Sequence, residues 1–282
     1  MSILLLHSGG TIGMAQTPDG LAPKAGLVEE AIKAALPAGT DLITVAFDPL
    51  LDSADVGPAE WNRFLDVIDA HPEMPVILTH GTDTMAYTGA ALSQALAGAS
   101  RRVVLCGSMV PLGMGGDAEA NLEQAIAAVL DPSQQGVMLA FSGKILPADG
   151  LVKHDTHAAD AFRAQPQDPM PSPLRRRFGA QRLAVLTLSP GMPADMLEAA
   201  LSCLDGAVLR IFGAGTAMST PAILEVFSRA TQAGKRLRAV SQCETGGLTQ
   251  GAYAAGAGLW ATGVENGGVE TPEAALIRLW LS

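Results

Sequence analysis

"ILLLHSGGTIGM", residues 3–14, is a run of large apolar residues broken off by a histidine, a serine, two glycines and a threonine. An apolar run this short, bounded by turn residues, reads as a buried strand, and buried strands belong to sheets covered on both faces. The same signal recurs as "DLITVAF" (41–47), "PVILTH" (75–80), "RRVVLCG" (101–107) and "GVMLAF" (136–141). Between these runs lie segments of helical apolar spacing, rich in Ala, Leu and Glu, at 27–36, 58–70, 84–97 and 117–130. Strands alternating with helices predict a mostly parallel sheet flanked by helices. The rhythm stops at 165–181, "QPQDPMPSPLRRRFGAQ", whose four prolines and weak apolar periodicity read as an exposed linker. It resumes with "RLAVLTL", "GAVLRIF" and "RLRAVSQ" and closes on an apolar segment ending at Ser282. The expected architecture is α/β with two domains: a larger N-terminal domain over 1–164, a linker over 165–181 and a smaller C-terminal α/β domain over 182–282.

Composition narrows the function classes. The chain has 282 residues, of which 48% are apolar and 16% charged, so it can bury a substantial core and is not disordered. No apolar run approaches the roughly 20 residues of a membrane span. A formal net charge of -10 argues against nucleic acid as a partner, because phosphate binding needs a basic surface; Arg175-Arg176-Arg177 is too short to change that. Three dispersed cysteines, Cys106, Cys203 and Cys243, lack zinc-ligand spacing and cannot all pair. With no basic leader and no signal-length apolar segment, a cytoplasmic protein without membrane partners is expected.

Ligands of parallel α/β sheets bind beyond the C-terminal ends of the strands. There the chain offers Ser8-Gly9-Gly10-Thr11, Asp52-Ser53-Ala54-Asp55, His80-Gly81-Thr82-Asp83-Thr84 and, past the fifth strand, a polar segment with Lys153-His154-Asp155-Thr156. Gly9-Gly10 lacks the glycine and lysine spacing of a nucleotide-binding loop. On residues alone it is equally a tight turn or a site exposing amide N–H groups. A threonine hydroxyl becomes a nucleophile only when a nearby base takes its proton, a task open to Lys153 with Asp83 beside it. Taken singly, Lys153 is a solvated charge and "THGTDT" a helix cap; the combination points to chemistry. Residues 13–26 exceed the usual 2 to 6 residues of a βα loop and read as a lid. The five histidines form no metal set, since His154 and His157 have no evident third ligand.

These residues resemble a known family, the bacterial-type L-asparaginases of the asparaginase and glutaminase amidohydrolase group. "GGTIG" and "THGTDTM" carry the resemblance; "CGSMVP", "GDAEANLEQAI", "LVKHDTHAADAF", "FGAGTA" and "ETGGLTQGAYAAGAGL" follow in the family's order. The resemblance implies hydrolysis of L-asparagine to L-aspartate and ammonia through an acyl-enzyme, in a homodimer or homotetramer, with no metal or organic cofactor. It implies Thr11 as nucleophile, Thr82 and Lys153 as proton relay, Asp83 as holder of the substrate amino group and Ser53 as contact to its carboxylate. Backbone N–H groups near Thr82 and Ser108 would stabilise the oxyanion. The chain departs from the pattern in three places: Leu21 stands where the family's lid carries a tyrosine, Ala54 where many relatives have glutamine, and Thr216 where they often have asparagine. These changes imply little glutaminase activity and leave a second reading, a weakly catalytic amino-acid sensor or an amidohydrolase for a different amide. Glu244 is the candidate for the family's acidic residue from a second subunit.

Overall fold

Ile3, Leu4, Leu5 and Leu6 are fully buried because the strand that carries them, β1 (Ser2–Gly9), is an inner strand of a six-stranded sheet. Each buried side chain of this size contributes about 1.5–3 kcal/mol. In the computed structural model, which describes residues 1–168, 172–173 and 176–282, the chain forms two compact units. The first consists of Met1–Ala164 with Arg176–Phe178, the second of Gln165–Arg175 with Gly179–Ser282. The stretch expected as one linker is thus shared between both units; its residues 169–171, 174 and 175 lie outside the described residues.

In the first unit, β1 leads through a short hairpin, β2 (Met14–Thr17) and β3 (Gly20–Pro23), into α1 (Leu27–Ala35). Then follow β4 (Asp41–Leu51), α2 (Pro58–Ala70), β5 (Val76–Thr79), α3 (Met85–Ala95), β6 (Arg102–Cys106), α4 (Ala118–Leu130) and β7 (Gly136–Phe141). The order across the sheet is β4-β1-β5-β6-β7-β8, where β8 (Lys144–Pro147) is antiparallel to β7 and every other pairing is parallel. Two short strands, β9 (Leu151–Lys153) and β10 (Phe162–Ala164), pair with each other. One face of the sheet packs Ile3, Leu5, Ile77, Val104 and Met138 against Val28 and Ile32 of α1 and Leu122, Ile126 and Val129 of α4. Arg101 and Arg102, at the entry to β6, close the C-terminal ends of α2 and α4, whose last carbonyls have no intrahelical donor. Arg102 donates to Val129 O (2.8 Å) in the last turn of α4, and Arg101 donates to the carbonyls of Ile68, His71 and Pro72 at the end of α2.

The chain passes from β1 to β4 on one side and then to β5 on the other. Strand order therefore reverses at β1, and the loops leaving β1 and β5 diverge to open the crevice in which doubly wound sheets hold their ligands.

The second unit is a parallel sheet in the order β11 (Leu183–Thr187), β12 (Gly206–Ile211), β13 (Arg236–Ser241), β14 (Glu265–Asn266). Its helices are α5 (Ala194–Ser202), α6 (Pro221–Gln232), the short α7 (Ala257–Ala261) and α8 (Pro272–Leu281). Leu197, Leu209, Ile223, Phe227 and Leu259 lie in its core. Glu270, nearly inaccessible, accepts from both Arg238 and Arg278, which supplies the pairing a buried carboxylate requires. Among the described residues, no helix is long and apolar enough to cross a membrane.

The segment expected as a lid contains the β2–β3 hairpin, closed by Thr17 Oγ1 donating to Gly20 O at 2.7 Å. Leu21 is paired with Gln16 in that hairpin and exposed. The cysteines divide by burial. Cys106 is fully buried in β6, and desolvation, with the charge of Asp117, pushes its thiol up to about 12, while Cys203 and Cys243 are exposed. A disulfide-exchange reagent should therefore label two thiols per native chain and the third only after denaturation. Three fast-reacting thiols would show that β6 opens in the native state.

Candidate active site

Crowding explains the two glycines that end β1. A Cβ on Gly9 would lie 2.3 Å from Leu51 O of β4, and one on Gly10 would lie 2.6 Å from the Gly81 backbone N. Gly81 in turn meets Ser53, whose Oγ would be 2.6 Å from a Cβ there, and a Cβ on Gly107 would be 2.6 Å from His80 O. The loops leaving β1, β4, β5 and β6 are thus in direct contact, glycine against backbone or side chain. Thr11, Ser53, Thr82, Asp83 and Ser108, all expected from sequence as site residues, share this one sheet edge.

Lys153 joins them from a strand rather than from the polar loop that the sequence suggested. It is the last residue of β9, opposite Phe162 of β10. Its Nζ donates to Thr82 Oγ1 at 2.9 Å and to Asp83 Oδ1 at 2.6 Å. The lysine side chain is 16% exposed and the aspartate 72% exposed, so one end of the pair is sheltered and the other meets solvent.

Thr11 opens a 3-10 turn, Thr11–Gly13, that follows Gly10. It is partly exposed, and its hydroxyl forms no hydrogen bond among the described residues. Ser53 is buried in a turn capped by Asp52, whose Oδ1 accepts from Ala54 N at 2.9 Å, and its carbonyl accepts from Thr84 Oγ1 at 2.5 Å. The Ser108 hydroxyl is committed locally, donating to Val110 O at 2.6 Å, so any contact from this residue to a ligand falls to its backbone.

Two residues that the sequence reading did not assign to the site hold the loop after β6. Asp117 accepts from Met109 N and Val110 N, both at 3.0 Å. Asn121 donates to Gly107 O at 3.0 Å and accepts from Ser142 N at 2.8 Å. His80 was missed as well. Its ring is fully buried, with Nδ1 2.7 Å from Gly81 O and Nε2 2.9 Å from Thr88 Oγ1, which also accepts from Trp61 Nε1 at 3.0 Å. The indole can only donate and the carbonyl can only accept, so Thr88 donates to Nε2 and Nδ1 carries the proton. The available signal was a polar residue closing an otherwise apolar strand run.

Desolvation lowers His80 from 6.5 to about 4, only partly opposed by its bond to Gly81 O. In the unfolded chain the ring takes up a proton near 6.5, so between those values the unfolded state binds a proton that the native state does not. Stability contributed by the neutral ring is complete above pH 6.5 and lost as pH falls toward 4, by about 3 kcal/mol in total. Chemical denaturation at pH 7 and pH 4.5 should show a steeper acid loss for the wild-type protein than for His80→Gln; equal slopes would refute the assignment.

The remaining candidates are in the second unit or at the surface. Glu244 accepts from Gln165 Nε2 at 3.0 Å, and Thr216 Oγ1 lies 3.4 Å from Phe212 O. His157 is engaged with Thr156 and Asp155. Among the described residues no three His, Cys, Asp or Glu side chains gather as a metal site.

The chain matches two family models, Asparaginase, N-terminal, over residues 2–176 and Glutaminase/Asparaginase C-terminal domain over residues 182–282. It is 29% identical to L-asparaginase 1 of Escherichia coli (strain K12), across 99% of this chain and 90% of that protein. Among solved structures, the thermostable L-asparaginase from Thermococcus kodakarensis superposes with a TM-score of 0.86 at 28% identity, covering 99% of this chain and 92% of that one. L-asparaginase I from Vibrio cholerae gives the same TM-score at 29% identity and the same coverage of each chain.

Proposed function

Because the chain belongs to the asparaginase family of amidohydrolases, we propose that it hydrolyses the side-chain amide of L-asparagine to L-aspartate and ammonia, turning over L-glutamine more slowly. The observation that carries this reading is Lys153 bonded at once to Thr82 and Asp83, at the same sheet edge as a partly exposed Thr11 whose hydroxyl forms no hydrogen bond among the described residues.

Thr11 Oγ attacks the amide carbon, and its proton leaves through Thr82 and Lys153. The amide oxygen takes up negative charge, which backbone N–H groups near Thr82 and Ser108 stabilise. Collapse of the tetrahedral intermediate breaks the C–N bond, and the relayed proton departs with ammonia. Water then adds to the β-aspartyl ester and releases Thr11. Asp83, exposed on one side, receives the substrate ammonium, which competes with Lys153 and frees the lysine to exchange a proton with Thr82. Ser53 receives the α-carboxylate.

Ammonia release from L-asparagine and L-glutamine by wild-type and Thr11→Ala protein tests the reading. The expected result is turnover of asparagine that the substitution lowers by about 10³-fold or more. Binding of asparagine without ammonia release by the wild-type protein would favour the sensor reading.

A further inference from the structure

His7 is a polar residue beneath the nucleophile turn that the mechanism above does not use. It lies on β1 between β4 and β5 and is fully buried. Nδ1 is 2.6 Å from Thr79 Oγ1 on the neighbouring strand. The other nitrogen, Nε2, is buried with no hydrogen-bond partner among the described residues and points under the turn: a Cβ on Gly13 would lie 3.1 Å from it. Gly13 is the last residue of the turn that Thr11 opens, and its N–H donates to Gly10 O.

We propose that His7 is a positioning residue for Thr11, acting through the Thr11–Gly13 turn that its imidazole supports from below. The inference rests on Thr11 being the nucleophile. Thr79 fixes the ring from one side and Gly13 meets its far edge, so the ring sets how far the turn can settle toward the sheet. The groups around it are the neutral hydroxyl of Thr79, the backbone of Gly13 and, on α1, Glu29, whose charge acts on the ring and whose Oε2 is itself buried and without a hydrogen-bond partner among the described residues. Burial lowers the proton affinity of His7 and Glu29 opposes that, so at neutral pH the ring is neutral. A proton gained in acid would draw Nε2–H toward Glu29 and away from the floor of the turn.

The test compares His7→Phe, which keeps ring volume but loses the Thr79 bond, with His7→Asn, which keeps a polar atom near Nδ1, and with Glu29→Gln. Expected for His7→Phe is a fall in kcat of about tenfold with KM for asparagine changed less than about twofold, partly restored in His7→Asn. In Glu29→Gln the acid limb of the kcat–pH profile should move to lower pH, a shift that loss of packing alone would not produce. Hydrogen exchange over residues 11–14, measured under conditions of matched global stability, should be faster in His7→Phe, and this readout does not depend on activity. Wild-type ammonia release with unchanged kcat in His7→Phe would overturn the proposal. Should the wild-type protein release no ammonia, the functional reading fails separately and unchanged exchange at 11–14 overturns this one.

Discussion

Replacing Lys153 with methionine is expected to reduce kcat for asparagine hydrolysis by about 10³-fold, the middle of the range for losing a positioned acid–base group. Methionine fills nearly the same volume but donates to neither Thr82 Oγ1 nor Asp83 Oδ1, the two bonds that Nζ makes. Stability should respond differently. The partner carboxylate is 72% exposed, so water takes over its hydrogen bonds, and an ion pair open to solvent on one side contributes at most about 1 kcal/mol. A 10³-fold rate loss corresponds to about 4 kcal/mol of transition-state free energy. Kinetics and calorimetry on one preparation therefore separate the roles: low kcat with a nearly unchanged Tm indicates proton relay, and a large fall in Tm with kcat retained would make the lysine a strut.

Gly10→Ala is expected to destabilise the first unit by about 3 kcal/mol or more and to abolish turnover in the fraction that folds. Two effects add. The residue has φ +93°, a region that costs an L-residue about 1–2 kcal/mol. Its Cβ would also lie 2.6 Å from Gly81 N and 2.7 Å from His80 C, so the β1 and β5 loops must part. Gly39→Ala supplies the control, since its φ is +83° and nothing lies within 4 Å of the new Cβ. It should show the backbone cost alone, about 1–2 kcal/mol. Equal losses in the two variants, measured by urea denaturation, would mean that the loops of the site yield freely.

Most of the framework was legible in the sequence because burial on both faces leaves continuous apolar runs. "GVMLAF" is β7 without adjustment, and the helix expected at 58–70 is α2, with a proline at its first residue where the missing N–H does no harm. Short strands were not legible. β8, β9 and β10 have three or four residues each, too few for a period to register, and Lys153 consequently read as part of a loop. The β2–β3 hairpin did leave a signal, Pro18-Asp19-Gly20, but of the residues in its two strands, Met14-Ala15-Gln16-Thr17 and Gly20-Leu21-Ala22-Pro23, Thr17 alone is β-branched. Within the site, hydroxyls and charges at strand ends could be read directly. The supports could not: Asn121, Asp117, His80 and Thr88 act across 7 to 21 residues of separation through bonds that only the fold brings about.

Trp61 gives the chain an optical reporter. Its indole is buried at 3% exposure, and its N–H is bonded to Thr88, which is bonded to His80, which holds Gly81 O, the residue before Thr82. Indole emission responds to the strength of that N–H bond and to local polarity, so any rearrangement of the β5 loop is relayed to a fluorophore that no ligand needs to touch. The other two tryptophans, Trp260 and Trp280, belong to the second unit, and substituting both by phenylalanine would leave Trp61 as the single emitter.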